Sequence, residues 1–476
     1  MPIKRVLAPR IDFSVLREEL NLPREFSAEA LAEAHRAVNT PPPARDHTDV
    51  PLVTVDPATS RDLDQAMHLS RRGGGYRVRY AIADVASYVR PGGPLEAETW
   101  ARGQTIYLPD GKIPLHPPVL SEDAVSLLPD VDRAAVLWTI DLDADGAIAA
   151  VALERARVRS RAKLDYPGLQ KALAAGDAPE PIALLPEIGT LLAARAADRG
   201  AINLPLPAQE VEPDGDGWRL VLRAPLPVEE HNAQISLLTG MAAASLMLGG
   251  GVGLLRTMPG AKPEAVAALR AAASSLGVTW PRDAEVGAVV SSVDPADPRG
   301  AAFLDQAAEL LRGAAYTAFD GAAPAETGHG GVGAPYAHVT APLRRLADRY
   351  ATEVCLALHA GEAVPEWARA ALPRLPEAMA ATDRVASAAD RGAVALTEAV
   401  LLAGRVGESF EAGVLDVDDP PKPGARPRPR GGTVAIDEPA VVARCLGELP
   451  LGERITVRLA EADPRTRTVR FELDAS

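Results

Sequence analysis

The spacing of apolar residues changes twice along this chain, and each change predicts a different kind of structure. From residue 52 to about residue 158, short runs typical of β-strands predominate, separated by turn residues. After Lys163 the apolar residues recur at helical spacing, interrupted by one hairpin around the turn 213–217. We expect long helices over 228–248, 263–276, 301–318, 342–360 and 370–403. These patterns together predict a sizeable α+β body.

The carboxy-terminal segment returns to a strand pattern. Five short strands are expected there, over 410–417, 432–436, 441–445, 454–460 and 468–473. Five strands in so short a segment predict a small barrel of the OB type. A basic, proline-rich loop at 420–432 separates the first two strands and cannot belong to a packed core.

The amino-terminal region is expected to be helical. Two short helices are indicated, over 15–20 and 28–38, and Ser27 stands where a helix cap belongs. The prolines at 41–43 then predict an extended linker. The first fifty residues therefore form a small helical appendage to the α+β body.

Length and composition allow a large protein with more than one core. The chain has 476 residues, 47% of them hydrophobic. The apolar stretch 241–253 is too short and too rich in glycine to span a bilayer, so we expect no membrane association and a cytoplasmic location. Cys355 and Cys445 are far apart and in no metal-ligand spacing, which predicts neither a disulfide nor a zinc site.

Three aspartates lie within nine residues, at Asp56, Asp62 and Asp64. Carboxylates repel one another, so this spacing is costly unless a cation neutralises them. Oxygen ligands suit Mg²⁺ or Mn²⁺, which commonly complete their coordination with substrate phosphate. The alternative is an acidic turn, but predicted strands at 52–55 and 76–83 place the acids beside a sheet.

A second candidate site lies in the glycine-rich stretch 329–348. Pro342 suits a first helical turn, and Arg344 and Arg345 follow it, so the expected helix start offers backbone N–H groups and two guanidinium forks to a phosphate. Arg344 and Asp348 are four residues apart, which predicts that the acid orients this arginine. The alternative is an ordinary solvated helix start.

The net charge of −14 argues against wide, non-specific coating of nucleic acid, because phosphate binding usually leaves a basic footprint. It does not argue against a narrow cleft, where only the local field matters. Arginine supplies 44 of the 50 basic residues.

Taken in order, several stretches resemble the RNB-domain exoribonucleases, the family of ribonuclease II and ribonuclease R. The aspartate segment 56–64 is similar to the family's aspartate motif, and 336–348 to its arginine motif. Between them, similar blocks fall at 81–89, 102–109, 113–117 and 120–128. The resemblance covers roughly residues 52 to 400.

The resemblance implies an RNB-type catalytic domain of mixed sheet and helices at 51–404. The helical region 1–50 would precede it, and an OB-type barrel that binds RNA, 405–476, would follow. The implied reaction is metal-dependent hydrolysis of single-stranded RNA from its 3′ end to nucleoside 5′-monophosphates. No organic cofactor is implied. The basic loop would either contact RNA or stay solvated.

The resemblance also implies roles for eight residues. Mg²⁺, or Mn²⁺, would be held by Asp56, Asp62, Asp64 and Gln65. Catalysis would depend on Asp64, Asp62 and Arg344, with Asp64 indispensable. RNA would contact Tyr107, Tyr166, Arg344 and Arg345. For the two tyrosines the alternative is an ordinary half-buried structural role.

Three departures from the family pattern leave alternatives open. Gln65 stands where the family usually has a fourth aspartate, so one metal site would lack a charge; Ala341 replaces the commoner serine. The chain before residue 52 is too short for paired cold-shock barrels, and the role of its helices stays open. Besides an active exoribonuclease, an inactive RNA-binding relative and a phosphoesterase acting on small substrates therefore remain to be distinguished.

Overall fold

The computed structural model describes residues 11–204, 208–215, 217–418 and 429–474. Its helices are α1 (Ser14–Glu19), α2 (Ala28–Ala37), α3 (Pro94–Arg102), α4 (Tyr166–Ala175), α5 (Leu185–Asp198), α6 (Pro227–Gly250), α7 (Pro263–Leu276), α8 (Val286–Ser291), α9 (Pro298–Ala308), α10 (Leu346–Ala360), α11 (Glu366–Ala371) and α12 (Leu375–Leu402). Most of the predicted loop 420–432 lies outside the described residues.

The strands of the amino-terminal half are β1 (Leu52–Val55), β2 (Gln65–Arg72), β3 (Gly75–Ala83), β4 (Ile106–Leu108), β5 (Gly111–Ile113), β6 (Asp132–Leu142), β7 (Ile148–Leu164), β8 (Ala208–Asp214) and β9 (Gly217–Arg223). Those of the other half are β10 (Val252–Thr257), β11 (Ala315–Asp320), β12 (Gly328–His329), β13 (Ala334–Pro335), β14 (Ser409–Val417), β15 (Gly431–Ile436), β16 (Val441–Leu446), β17 (Arg454–Asp463) and β18 (Thr468–Leu473). The mixed helix and strand class is confirmed.

A five-stranded barrel carries the aspartate segment. Its strands follow the order β1-β2-β3-β6-β7, and β1 pairs in parallel with β7 to close the barrel. In β3 the alternate residues Tyr76, Val78, Tyr80 and Ile82 are buried, because successive side chains of a strand face opposite sides. Trp138 of β6 is fully buried in the same core.

The long helix α6 packs beside this barrel, against α5 and α10. Its Ile235, Leu238 and Met247 are buried in the shared core. It is the one described helix long and apolar enough to cross a membrane by length and composition, a test that the core helix of a globular body also passes. Gly240 lets the chain at Tyr336 approach closely, since a Cβ there would lie 2.1 Å from the tyrosine ring.

The predicted helix 301–318 is wrong in its second half. Helix α9 ends at Ala308, one 3₁₀ turn follows, and residues Ala315–Asp320 form β11, which pairs with β10. Gly313 causes the change of direction, because its φ of +89° lies in a region that side chains disfavour. The tyrosine, threonine and phenylalanine that follow favour a strand.

The carboxy-terminal barrel is confirmed. Its five strands close in the order β14-β15-β16-β18-β17, and the predicted strand limits differ from the observed ones by three residues at most. The barrel shares its core with neighbouring elements, since Phe410 and Phe471 cluster with Leu401 and Leu402 of α12. Cys445 lies in this core, and Cys355 is buried in α10; both are free thiols.

Both predicted amino-terminal helices are present. The Ser27 hydroxyl accepts a hydrogen bond from the Ala30 amide at 3.3 Å and so caps α2. Residues from both helices belong to larger apolar clusters. Leu16 belongs to the cluster that includes the core of the carboxy-terminal barrel, and Ala30 to the cluster that includes residues of the first barrel. Both amino-terminal helices are therefore packed onto the body.

Candidate active site

All eight residues singled out from the sequence line one cavity of about 640 Å³ beside the first barrel. Three elements each form part of its wall: the segment 56–64, which we call the aspartate loop, the segment 336–348, which we call the arginine segment, and α6. Its lining includes Asp56, Asp62, Asp64, Gln65, Tyr107, Tyr166, Glu229, Asn232, Ser236, Tyr336, Thr340, Arg344 and Arg345. Segments more than two hundred residues apart in sequence therefore meet at this position.

The aspartate loop is held in one conformation by hydrogen bonds at both ends. The Asp56 amide donates to the Leu164 carbonyl at 3.0 Å, which extends the pairing of β1 with β7. The Ser126 hydroxyl accepts from the Leu63 amide at 2.9 Å and donates to the Arg61 carbonyl at 2.6 Å. The fully buried Leu63 anchors the loop to the core. This order does not fit a solvated acidic turn.

Asp64 links the two sequence motifs. Its side chain is buried; Oδ1 accepts a hydrogen bond from the Leu343 amide at 2.8 Å, and Oδ2 lies 3.4 Å from Nε of Arg344. Burial raises the pKa of the Asp64 carboxyl to about 7, although Arg344 and the Leu343 amide oppose that rise. Burial likewise raises the pKa of Asp56 to about 6, against the influence of Arg344 and Lys163.

Asp62 has a different environment. Lys112 Nζ lies 2.9 Å from its Oδ1, and the Tyr107 hydroxyl donates to its Oδ2 at 3.4 Å. Lys112 also contacts Glu122 at 3.1 Å. The sequence did not identify Lys112, which faces Tyr107 across the hairpin formed by β4 and β5. Two three-residue strands are too weak a pattern to reveal that pairing.

The donor set fits a hard divalent cation, although no group of three or more acidic, histidine or cysteine side chains is close enough to hold an ion in the part of the chain described. Asp62 is turned to Lys112, and Asp64 to the arginine segment. The pKa values of Asp56 and Asp64 are raised because burial disfavours their charged forms and the neighbouring cations offset this only in part, so a bound cation would stabilise the two carboxylates further. Oxygen donors with uncompensated charge are what Mg²⁺ or Mn²⁺ requires.

Gln65 occupies a polar network at the cavity wall. Its Nε2 donates to the Thr340 carbonyl at 2.6 Å, and its Oε1 accepts from the Tyr80 hydroxyl at 2.6 Å. Tyr80 also contacts the Ser236 hydroxyl at 2.8 Å. The amide therefore ties β2 to the arginine segment, while its oxygen keeps one lone pair for a ligand. Its assignment as a metal ligand stays a prediction.

The arginine segment differs from its sequence prediction. Helix α10 begins at Leu346 rather than at Pro342, and Arg345 has an extended backbone with φ −133° and ψ 125°. Asp348 therefore faces back toward Arg345, accepting bonds of 2.9 Å from its Nε and its terminal nitrogen, and accepts a third bond from the Ala341 amide at 2.7 Å. The predicted pairing of Arg344 with Asp348 is wrong.

The two arginines consequently have different electrostatic roles. Arg345 is neutralised by a fully buried carboxylate, which raises the pKa of its guanidinium against the effect of burial. Arg344 is 47% exposed, and within the described residues the one carboxylate within 4 Å of its guanidinium is that of Asp64, at 3.4 Å. Arg344 is therefore the better placed of the two to contact an anionic ligand in the cavity.

The two tyrosines reach the cavity from different elements. Tyr107 is 52% exposed, an unusual value for so large a ring, and stands on the β4–β5 hairpin. Tyr166 is the first residue of α4, whose start is capped by Asp165. Its hydroxyl accepts a hydrogen bond from Asn232 Nδ2 at 3.3 Å. Asn232 and Ser236 come from α6 and carried no sequence signal.

Comparison with known proteins identifies the family. The RNB domain family model matches residues 44–358, and the model of the RNase II-type exonuclease C-terminal S1 domain matches residues 408–474. The first match alone covers well over half of the chain. The chain belongs to the RNB-domain family, as its motifs suggested.

Curated relatives include ribonucleases R that this chain matches in part. The protein of Acidithiobacillus ferrooxidans is 34% identical over 177 residues, a match that covers 36% of this chain and 40% of that protein. The protein of Aquifex aeolicus is 27% identical over 425 residues, covering 84% and 59% respectively. The chain spans less than two thirds of the length of each.

Solved structures share the fold at low sequence identity. The apo form of Mycoplasma genitalium RNase R is 19% identical, with a TM-score of 0.83, and the alignment covers 97% of this chain and 77% of that one. Yeast Ssd1, described as a pseudonuclease, is 18% identical, with a TM-score of 0.68 and a coverage of 94% and 53%. These likenesses show that the chain has an RNase R-like fold.

Proposed function

We propose that this chain is a divalent-metal-dependent exoribonuclease that hydrolyses single-stranded RNA from the 3′ end and releases nucleoside 5′-monophosphates. The observation that carries this proposal is the cavity in which the buried Asp64 contacts Arg344 while Asp56, Asp62 and Tyr107 form the adjoining wall. Membership of the RNB-domain family supports it. The cytoplasmic location remains a prediction.

In this proposal Asp56, Asp62 and Asp64 hold Mg²⁺ or Mn²⁺, with Gln65 as a neutral fourth donor. When bound, the ion supplies a water of lowered pKa and charge stabilisation at the scissile phosphate. The Leu343 amide keeps Asp64 oriented. Arg344 donates to the phosphate oxygens, where charge develops during hydrolysis. Asp62 would hold the cation through a lone pair that its contacts with Lys112 and Tyr107 leave free.

The two tyrosines explain why the proposed substrate is single-stranded RNA. An exposed ring such as Tyr107 accepts an unpaired base on its face, and stacking of this kind does not depend on sequence. Tyr166, which also lines the cavity, offers a second surface, fixed by its hydrogen bond to Asn232. Bases held in a duplex present no such face, so an entering strand must be unpaired at the cavity.

A time course on 5′-end-labelled single-stranded RNA tests the proposal. With Mg²⁺ or Mn²⁺ we expect progressive shortening from the 3′ end and release of mononucleotides, and with chelator we expect none. The same RNA labelled at its 3′ end should give labelled mononucleotide from the first time point. Label released first from the 5′ end would contradict the proposed direction, and undiminished hydrolysis in chelator would contradict the metal.

A second candidate is an RNA-binding protein without catalysis. Two observations favour it: Gln65 brings no charge to the metal site, and Lys112 neutralises Asp62. The pseudonuclease neighbour shows that the fold is compatible with loss of activity. RNA binding with no mononucleotide release at any Mg²⁺ or Mn²⁺ concentration would select this candidate.

Replacing Tyr107 by alanine should lengthen the final product from a uniform single-stranded RNA. A stacked base contributes about 1–3 kcal/mol to binding, and a shortened RNA depends on that contribution more than a long one does. Cleavage of long RNA should change little. Tyr107→Phe is the matched control, because it keeps the ring and loses one long hydrogen bond of 3.4 Å. Equal product lengths for Tyr107→Ala and the parent would assign the ring a structural role.

A further inference from the structure

The hairpin that carries Tyr107 and Lys112 is small. β4 and β5 contain three residues each and form a two-stranded sheet of their own, which is marginal in stability without packing. Both side chains nevertheless contact Asp62 at the cavity. Something outside the hairpin must therefore hold it in place.

The segment 11–22, which we call the amino-terminal strap, shares one buried apolar cluster with this hairpin, whose strand β4 also packs on α12. Its Ile11, Phe13, Leu16 and Leu22 are buried in one cluster with the apolar hairpin residues Ile106, Leu108 and Ile113. Hydrophobic contact of this kind fixes the hairpin against the body of the protein. The strap thus belongs to the apolar layer that supports the hairpin.

A paired ionic contact joins the strap to the hairpin turn. Arg17 donates two hydrogen bonds to the Asp110 carboxylate, at 2.9 Å and 2.6 Å, and the two side chains are only 25% and 32% exposed. A bidentate ion pair of this kind fixes both the distance and the relative orientation of the two side chains. Asp110 stands in the turn between Tyr107 and Lys112, so the contact is two to three residues from both.

The strap is anchored independently of the hairpin. Glu19 pairs with Arg467 of the carboxy-terminal barrel at 2.7 Å, and the Phe13 ring meets the Trp218 ring edge-on at 5.5 Å. Leu16 packs so closely on α12 that a Cβ at Gly392 would lie 2.9 Å from it. Because these contacts lie on other elements, the strap can impose a position on the hairpin.

We propose that the amino-terminal strap is a positioning element of the active site, and that Arg17 sets the placement of Tyr107 and Lys112 through Asp110. This inference rests on the proposed function, in which Tyr107 stacks a base near the 3′ end of the RNA. It assigns a role to the helical region that precedes the catalytic domain. Arg17 acts through the hairpin and touches no substrate.

Arg17→Ala is the variant that tests this role, with Arg24→Ala as the matched control. Arg24 also lies near the strap and pairs with Glu18 at 3.0 Å, but those side chains are 74% and 66% exposed and do not contact the hairpin. Arg17→Ala should lengthen the final product and raise KM for a short oligonucleotide about threefold to tenfold, with kcat on long RNA nearly unchanged. The double variant Arg17→Asp with Asp110→Arg should restore both values.

A binding measurement separates failure of this inference from failure of the proposed function. In an Asp64→Asn background, RNA with 2-aminopurine near its 3′ end loses fluorescence when that base stacks. At saturating protein concentration, we expect the RNA bound to the Arg17→Ala variant to fluoresce more strongly than the RNA bound to the parent. The RNA bound to the Arg24→Ala variant should fluoresce as it does with the parent. Equal quenching and equal product lengths in all three proteins would overturn the role of the strap. Quenching that responds to Arg17 would support it even where the parent releases no mononucleotide.

Discussion

Replacing Asp64 by asparagine should lower the rate of RNA hydrolysis by about 10³-fold or more, with RNA affinity largely kept. Asparagine has the same size and can still accept the hydrogen bond from the Leu343 amide. It cannot supply the negative charge that holds a cation opposite Arg344. Single-turnover hydrolysis and equilibrium binding of the same single-stranded RNA measure the two effects separately.

The same substitution should not destabilise the metal-free protein. Burial raises the pKa of Asp64 from 3.8 to about 7, so the folded protein holds a proton that the unfolded chain releases within this interval. The contribution of Asp64 to stability therefore falls as pH rises from about 4 to about 7. At pH 8 with chelator, Asp64→Asn should unfold at the same urea concentration as the parent, or a higher one.

Asp123→Asn is a suitable control, since Asp123 pairs with Arg133 and is 64% exposed. It should leave hydrolysis unchanged. Hydrolysis by Asp64→Asn at a rate near that of the parent would show that the metal is held elsewhere. A large loss of RNA affinity would instead place Asp64 in substrate binding.

The free energy of unfolding should distinguish the two neighbouring arginines, Arg344 and Arg345. Arg345→Met should lower the free energy of unfolding by about 3–5 kcal/mol, because it leaves the fully buried Asp348 carboxylate without its bidentate partner. Arg344→Met should change that free energy by no more than about 1 kcal/mol, because Arg344 is 47% exposed and the protonated form of Asp64 needs no partner. Urea unfolding of both variants beside the parent provides the comparison.

Activity should show the opposite order. At a temperature where both variants are folded, Arg344→Met should reduce kcat by about 10²–10³-fold, as expected for loss of a donor to developing phosphate charge. Arg345→Met should retain more activity than Arg344→Met when corrected for the folded fraction. An unstable Arg344→Met combined with a stable, inactive Arg345→Met would reverse the assignment made from their partners.

Local features were predictable where a short stretch determines them. The strands flanking the aspartates, the Ser27 cap and the five strands of the terminal barrel follow from nearby residues, and all were confirmed. The family was predictable for a similar reason, since its motifs are short and ordered. The end of α9 before Gly313 and the start of α10 at Leu346 were less predictable. In both places residues compatible with a helix also occupy neighbouring positions that are not helical.

The sequence alone was sufficient to determine the α+β class, the terminal barrel, the family and eight of the residues that line the cavity. Only the tertiary structure decided which groups meet: Asp64 with Arg344, Arg345 with Asp348, Lys112 with Asp62, and Arg17 with Asp110. The reason is physical. Residue type and local spacing set most of the backbone conformation, whereas the partner of a charged side chain depends on which segment the packing brings within about 3 Å. For Arg345 and Asp348, which are only three residues apart, the pairing depends on where α10 begins.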